Sequence, residues 1–160
     1  MDPSDALALQ SLLTQTPVAA LATLHQGEPA VSMVPYALLP DGTFVIHVSR
    51  LATHTRDMLS HDTVSLLVTA SSGTSDTPLA LPRASVQATA CRCEPEAPVY
   101  TQARAAYLAR LPEAEELFSF GDFSLFVITP RALRYVAGFG RAMSLNAAQY
   151  RALWAGAPPA

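Results

Sequence analysis

The sequence of 160 residues contains no lysine, and its ten basic residues are all arginines. Without lysine, neither the phosphate-binding loop of nucleoside triphosphatases nor an aldimine with pyridoxal phosphate can form, so both chemistries are excluded. Thirteen acidic residues bring the formal net charge to −3. Because general nucleic-acid-binding proteins carry a basic face, we expect no nucleic-acid partner.

Long apolar runs are also missing. No run approaches the roughly 18 residues that a membrane-spanning helix needs, so we expect no membrane partner. The N-terminus, Met1 to Asp5, is acidic where a signal peptide is basic, which favours a cytoplasmic protein. Half of the residues are hydrophobic and 14% are charged, as in a folded chain. The length favours one domain over residues 1–160.

Cysteine is scarce, since Cys91 and Cys93 are the only two. Strand alternation places both on the same face of a predicted strand. Two thiols cannot complete a tetrahedral zinc site, and no Cys or His pair at metal spacing accompanies them, so we expect no metal. Ordinary strand residues and a redox pair both stay open as interpretations.

Hydrophobic periodicity predicts four helices and seven strands, with a loop over residues 70–78. The helices are expected near residues 4–15, 53–61, 98–111 and 144–154. The strands are expected near residues 18–24, 30–39, 44–49, 64–69, 85–91, 125–129 and 133–139. Tight turns join the first three strands, which should therefore be antiparallel. About seven strands in a chain of this length suggest a barrel with helices at its gaps and ends.

The strongest chemical signal is the segment from Ser49 to Arg56, where a strand ends and a helix begins near Thr53. A helix start presents free N–H groups and the positive end of its dipole, which suits an anion. Hydroxyls, an imidazole and two guanidiniums surround it, and arginine grips phosphate in a bidentate manner. A capped surface helix with solvated arginines is the alternative.

The remaining signals are weaker. His25 and His61 fall in predicted turns and should be solvated. His47 alternates to the opposite face from its apolar neighbours, which leaves a pocket-lining role open. No Gly-x-Ser-x-Gly elbow is present, and the segment from Gly138 to Gly140 lacks the third glycine of a dinucleotide loop. Arg141 beside it is placed to reach a charged ligand. Spacing alone names no reaction and no catalytic residue.

The ordered series of strand, turn, strand and helix start resembles the pyridoxamine 5'-phosphate oxidase-like, FMN-binding split-barrel superfamily. The matching stretches are residues 20–24, 29–35, 41–49, 54–58 and 64–67. Residues 135–142, Tyr-Val-Ala-Gly-Phe-Gly-Arg-Ala, resemble the branch that includes haem-utilisation proteins. The vitamin oxidases have an Arg-Lys pair where this sequence has His54 and Thr55.

The resemblance implies an α+β fold, a six- to seven-stranded antiparallel split β-barrel that works as a homodimer. It implies an oxidoreductase with FMN in clefts at the dimer interface and a small-molecule redox substrate that is not specified. When FMN is bound, the flavin supplies the redox chemistry and the protein supplies orientation. The alternative is a non-catalytic flavin- or haem-binding protein for haem handling, storage or sensing, and deazaflavin is not separated from FMN.

The resemblance also implies a set of cofactor-binding residues. Backbone along the flavin ring maps to Ser32, Met33 and Val34. The phosphate maps to the end of the third strand and the helix start, at Ser49, Arg50, His54, Thr55 and Arg56. Two further arginines, Arg83 at the entry of the fifth strand and Arg141 from the partner chain, are expected to contact the cofactor.

Overall fold

A computed structural model describes residues 1–74 and 77–156. Within this part of the chain, the helices are α1 (Pro3–Gln15), α2 (Thr53–Ser60), α3 (Tyr100–Arg110) and α4 (Ala147–Trp154). The strands are β1 (Val18–His25), β2 (Glu28–Pro35), β3 (Ala37–Leu38), β4 (Phe44–Ser49), β5 (Thr63–Thr69), β6 (Arg83–Cys93), β7 (Phe123–Gly138) and β8 (Arg141–Asn146). Short 3-10 segments cover Ser72–Thr74, Pro78–Ala80 and Pro112–Ser119. Of the predicted loop, residues 75 and 76 lie outside the described residues.

All strand pairs in the sheet are antiparallel, in the order β2-β1-β5-β6-β7-β4-β3, and β8 pairs with β7. The β1–β2 hairpin is in continuous register from Val18↔Pro35 to His25↔Glu28. Its turn residues, Gln26 and Gly27, have φ of 52° and 85°. Two successive positive φ angles are typical of the type I′ turn, whose twist suits a hairpin.

The sheet closes on itself because β2 and β3 occupy opposite ends of the strand order but are one residue apart in the chain. Tyr36 is that residue, fully buried, and its hydroxyl donates to the Leu13 carbonyl at 2.7 Å. The two ends of the sheet must therefore meet, which makes the split barrel. The predicted fold class is confirmed.

Two apolar clusters lie on opposite sides of the sheet. The larger fills the barrel with residues such as Leu21, Phe44 and Phe126, and α1 adds Leu9 and Leu13. The smaller lies under α3 and the 3-10 segment Pro112–Ser119, with members that include Val45, Cys93, Tyr107 and Leu125. Strand β4 contributes to both, because alternate side chains point to opposite faces.

Helix α4 packs on the turn between β3 and β4. The Tyr150 hydroxyl donates to the Gly42 carbonyl at 2.8 Å. Gly42 has φ of 81°, and the Trp154 indole occupies the space that a Cβ there would need. Asn146 caps the helix through a reciprocal pair with Gln149.

The predicted strands differ from the structure in three places. The strand expected at residues 30–39 is divided at Tyr36, where the chain crosses the barrel opening. The strands expected at residues 125–129 and 133–139 are the single strand β7. Pro130 is tolerated there because β4 pairs with residues 123–128 and β8 with residues 132–138, so the proline lies between those partners. Strand β8 itself was not predicted.

The two cysteines lie on one face as predicted, since Cys91 pairs with Val127 and Cys93 with Leu125, two residues apart on β7. Cys93 is buried under α3, Cys91 is exposed, and both are free thiols. Among residues 1–74 and 77–156, no group of three or more His, Cys, Asp or Glu side chains is placed to hold a metal ion. No helix in these ranges is long and apolar enough to cross a membrane.

Candidate functional site

The chain turns from β4 into α2 through a network of short hydrogen bonds. The Ser49 hydroxyl donates to Asp122 Oδ2 at 2.6 Å and accepts from the Leu51 backbone N–H at 3.1 Å. The Thr55 hydroxyl, fully buried, donates to the Ser49 carbonyl at 2.7 Å. These two hydroxyls therefore stabilise the turn. Binding of an anion by either hydroxyl stays a prediction.

The start of α2 nevertheless has the features of an anion site. Its N-cap residue, Ala52, makes no side-chain capping bond. The exposed Arg56 reaches Thr53 Oγ1 only at 3.5 Å, whereas the exposed Arg50 donates to the Gly121 carbonyl at 2.6 Å. His54 is half-buried, and this burial lowers the pKa of its imidazole, which favours the neutral ring. The five predicted phosphate-binding residues thus meet in one turn.

One turn further along α2 lies a polar triad of Thr23, His25 and Asp57, which the sequence did not predict. Asp57 is buried and accepts from Thr23 Oγ1 at 2.9 Å. Its other oxygen lies 2.8 Å from Nδ1 of His25, whose side chain is 45% exposed. These hydrogen bonds help to hold the pKa of the Asp57 carboxyl below its usual range, against its burial. His25 was predicted to be solvated, and its partner is 32 residues away.

Strand β2 carries the residues predicted to lie along a flavin ring. Val34 is buried, Ser32 is half-buried and Met33 is 66% exposed. Met33 pairs with Ala20 and Val31 with Ala22, so these apolar side chains lie on the outer face of the β1–β2 hairpin. We call the exposed apolar set on this face the hairpin patch. Its members are Leu24, Val31, Met33 and Leu67.

The two outlying arginines are engaged elsewhere in the chain. Arg83 donates to the carbonyls of Leu79 and Leu81 at 3.3 and 3.1 Å, which stabilises the approach to β6. Arg141 donates to both carboxylate oxygens of Asp5, at 2.7 and 2.8 Å. It thereby joins the β7–β8 hairpin to α1. Contact of either guanidinium with a cofactor stays a prediction.

A small pocket surrounds His47, in line with the role left open for it. Its ring stacks on Phe118 at 3.8 Å between centroids and lies 5.1 Å from Phe123. The adjacent cavity has a volume of about 60 Å³ and is also lined by Cys93. Burial, with a smaller contribution from the Arg104 guanidinium, lowers the pKa of His47 to about 4. Nδ1 of this neutral ring is buried without a hydrogen-bond partner.

Comparison with known proteins identifies the family. The family model described as pyridoxamine 5'-phosphate oxidase matches residues 7–137. The chain belongs to this family. A protein named non-canonical heme oxygenase HOZ, chloroplastic, from Arabidopsis thaliana is 37% identical over 118 residues, which make up 74% of this chain and 35% of that protein. The chain thus spans about a third of that relative.

Two solved structures extend the relationship. A heme binding protein from Mycobacterium smegmatis superposes with a TM-score of 0.85 and 33% identity, over 95% of this chain and 62% of that one. HutZ from Vibrio cholerae, described as a heme storage protein, superposes with a TM-score of 0.70 and 25% identity, over 76% of this chain and 87% of that one. The resemblance to the haem-utilisation branch is confirmed.

Proposed function

We propose that this protein binds haem. The observation that carries the proposal is the similarity to the Mycobacterium smegmatis heme binding protein, which extends over 95% of the chain at 33% identity. A haem-binding role was the alternative interpretation of the sequence. It has better support than an FMN-dependent oxidoreductase, which was the leading one.

The chain carries groups of the kinds that hold a haem. The molecule is flat and mostly apolar, with two anionic propionates at one edge. The hairpin patch offers apolar surface of the matching kind, and such exposed patches mark ligand or partner contacts. Arg50 and Arg56 offer exposed guanidiniums for carboxylates.

FMN binding is the second candidate function. The specific observation in its favour is the start of α2, where an N-cap without a side-chain bond stands beside Arg50 and Arg56. Phosphate is well suited to such a helix start. Residues Ser49, His54 and Thr55 would complete this site, and the edge of β2 at Ser32–Val34 would lie against the flavin ring.

One titration separates the two candidates. Apo-protein is mixed with haem and, separately, with FMN, and each mixture is passed through gel filtration with absorption detection. Haem binding gives a Soret band that elutes with the protein at one haem per chain. FMN binding gives paired flavin bands that elute with it. If neither chromophore elutes with the protein, both candidate functions are wrong.

A second measurement locates the anionic groups. We expect Arg56→Gln to weaken binding of the retained ligand by about tenfold, because one charge-assisted contact is worth about 1.4 kcal/mol. The matched control is Arg151→Gln, which removes an exposed arginine from α4. Equal affinities of the two variants would place the anion site elsewhere.

We also propose a homodimer whose interface includes part of the hairpin patch, with the ligand in the cleft between the subunits. Val31 and Met33 are 71% and 66% exposed, and they lie on the edge strand of the sheet. A second copy of the chain would remove this apolar surface from water. Contact of Arg83 and Arg141 with a ligand in this cleft stays a prediction. Turnover of a redox substrate and a cytoplasmic location stay predictions.

A further inference from the structure

Gly121 and Asp122, which directly precede β7, hold the turn that leads from β4 into α2. The Asp122 carboxylate accepts a hydrogen bond from the Ser49 hydroxyl at 2.6 Å. The Gly121 carbonyl accepts one from Nη2 of Arg50 at 2.6 Å, and the Asp122 carbonyl accepts one from the Arg50 backbone N–H at 2.7 Å. Two of the five residues that were predicted to contact a phosphate are therefore already bonded to acceptors within the protein.

The hydroxyls of this turn have no proton left for an anion. A hydroxyl donates one hydrogen bond. Ser49 gives its proton to Asp122 and accepts from the Leu51 backbone N–H at 3.1 Å. Thr55, which is fully buried, gives its proton to the Ser49 carbonyl at 2.7 Å. A phosphate could use either hydroxyl only by breaking a hydrogen bond that stabilises the turn.

Asp122 also places a negative charge in the turn. Within residues 1–74 and 77–156, the ion pairs involve other acidic side chains, and none includes Asp122. A phosphate monoester carries about 1.5 to 2 negative charges near neutral pH, whereas a carboxylate carries one. Because Coulomb repulsion is proportional to the product of the charges, Asp122 opposes a phosphate up to about twice as strongly as a carboxylate at the same distance.

Arg56 remains available to a carboxylate in the same turn. It is exposed, and among the described residues its guanidinium makes only a long contact with Thr53 Oγ1, at 3.5 Å. A guanidinium binds a carboxylate through two parallel N–H groups, so it needs no help from the hydroxyls. The turn therefore keeps the group that suits a carboxylate, while the hydroxyls that would complete a phosphate site are bonded within the protein.

We infer that Asp122 is a specificity-determining residue that makes the start of α2 select carboxylate over phosphate ligands. The inference rests on the proposed haem-binding function, because the propionates of haem are carboxylates, and it argues against FMN as the ligand. Replacing Asp122 would release the Ser49 hydroxyl and remove the opposing charge. The chain should then gain affinity for a ligand that carries a phosphate.

The test is an FMN titration of the full chain, followed by flavin fluorescence. We expect Asp122→Ala to bind FMN about tenfold more tightly than wild type, because a hydrogen bond to a charged group is worth about that factor in affinity. Asp122→Asn should gain less, since its amide oxygen still accepts from Ser49. The control Glu116→Gln removes an exposed carboxylate from the same connection between α3 and β7 and should keep the wild-type affinity.

Two further comparisons separate a phosphate effect from a loosened turn. Riboflavin has the same ring as FMN without the phosphate, so its affinity should be equal in wild type and in Asp122→Ala. Adding Ser49→Ala to Asp122→Ala should reduce the gain in FMN affinity, because the released hydroxyl is then missing. Circular dichroism melting confirms folding, and Asp122→Asn carries the test if Asp122→Ala does not fold.

The outcomes distinguish this inference from the proposed function. If wild type binds FMN tightly with Asp122 in place, or if loss of the carboxylate leaves FMN affinity unchanged, Asp122 does not set the specificity, and the haem-binding proposal survives. An equal gain for riboflavin would also overturn the inference. If wild type retains no haem but Asp122→Ala gains affinity for FMN alone, the haem-binding proposal is wrong, and the exclusion of phosphate by Asp122 is supported.

Discussion

Protonation of His47 should destabilise the fold in mild acid. The ring lies among Phe118, Phe123 and Tyr107, and its buried Nδ1 has no hydrogen-bond partner. This environment, together with Arg104, lowers the pKa of His47 from 6.5 to about 4. A charged imidazole would be desolvated there without compensation.

The sign and size of the effect follow from proton linkage. The unfolded chain takes up the proton below a pH of about 6.5, and the native state does so only near pH 4. The contribution of His47 to the free energy of unfolding is therefore fully present above a pH of about 6.5. It decreases as the pH falls to about 4 and is constant below that. Each pH unit between the two pKa values lowers the free energy of unfolding by about 1.4 kcal/mol. The total loss is therefore about 3 kcal/mol.

The perturbation that isolates this histidine is His47→Phe, which fits an aromatic environment and cannot be protonated. Urea unfolding is followed by circular dichroism from about pH 7 to about pH 4. We expect wild type to lose about 3 kcal/mol more than the variant across this range. His61→Gln, at the exposed end of α2, should retain the wild-type pH dependence. If the free energy of unfolding has the same pH dependence in wild type and in His47→Phe, this prediction is wrong.

Three further predictions concern packing, an ion pair and the proposed dimer. Gly42→Ala should cost about 2 to 4 kcal/mol, measured by urea unfolding, because the new Cβ meets the Trp154 indole and the φ is positive. Asp5→Asn should cost about 1 to 2 kcal/mol in the same assay, since it weakens the contact in which Arg141 Nη2 donates to both carboxylate oxygens. Met33→Glu should shift sedimentation from dimer to monomer, because it places a charge in the hairpin patch.

Each of these has a matched control. Gly121→Ala adds a Cβ where no atom lies within 4 Å, so its stability should be close to that of wild type. Glu96→Gln removes an exposed acidic charge and should not reproduce the Asp5 loss. Leu79→Glu alters a side chain that is 66% exposed, the same as Met33, but lies outside the patch. Equal effects in a test variant and its control would contradict that prediction.

Much of the secondary structure could be predicted because its signals are local. The tight turn between β1 and β2, helix α2 and helix α4 each depend on residues within a few positions. Alternation along β4 correctly separated His47 from the core residues Phe44 and Ile46. The strand break predicted at Pro130 was wrong, because tolerance of a proline depends on which strand lies beside it.

The candidate site also has one part that could be predicted from sequence and another that could not. The segment from Ser49 to Arg56 was recognisable because a strand end, a helix start and arginines follow one another in the chain. The pairing of His25 with Asp57 was not, since 32 residues separate them. The hydroxyls of Ser49 and Thr55 were expected to face an anion, and only the fold shows that both also bond within the protein.

By itself the sequence determined the fold class, the family and the helix start that makes an anion site conceivable. Periodicity and turn chemistry encode these in short windows, where backbone preferences and side-chain alternation act. Tertiary structure alone decided that the sheet closes at Tyr36, that Arg141 binds Asp5 and that Asp57 orients His25. Those features depend on contacts between distant segments, which form only when the apolar faces of the barrel pack together.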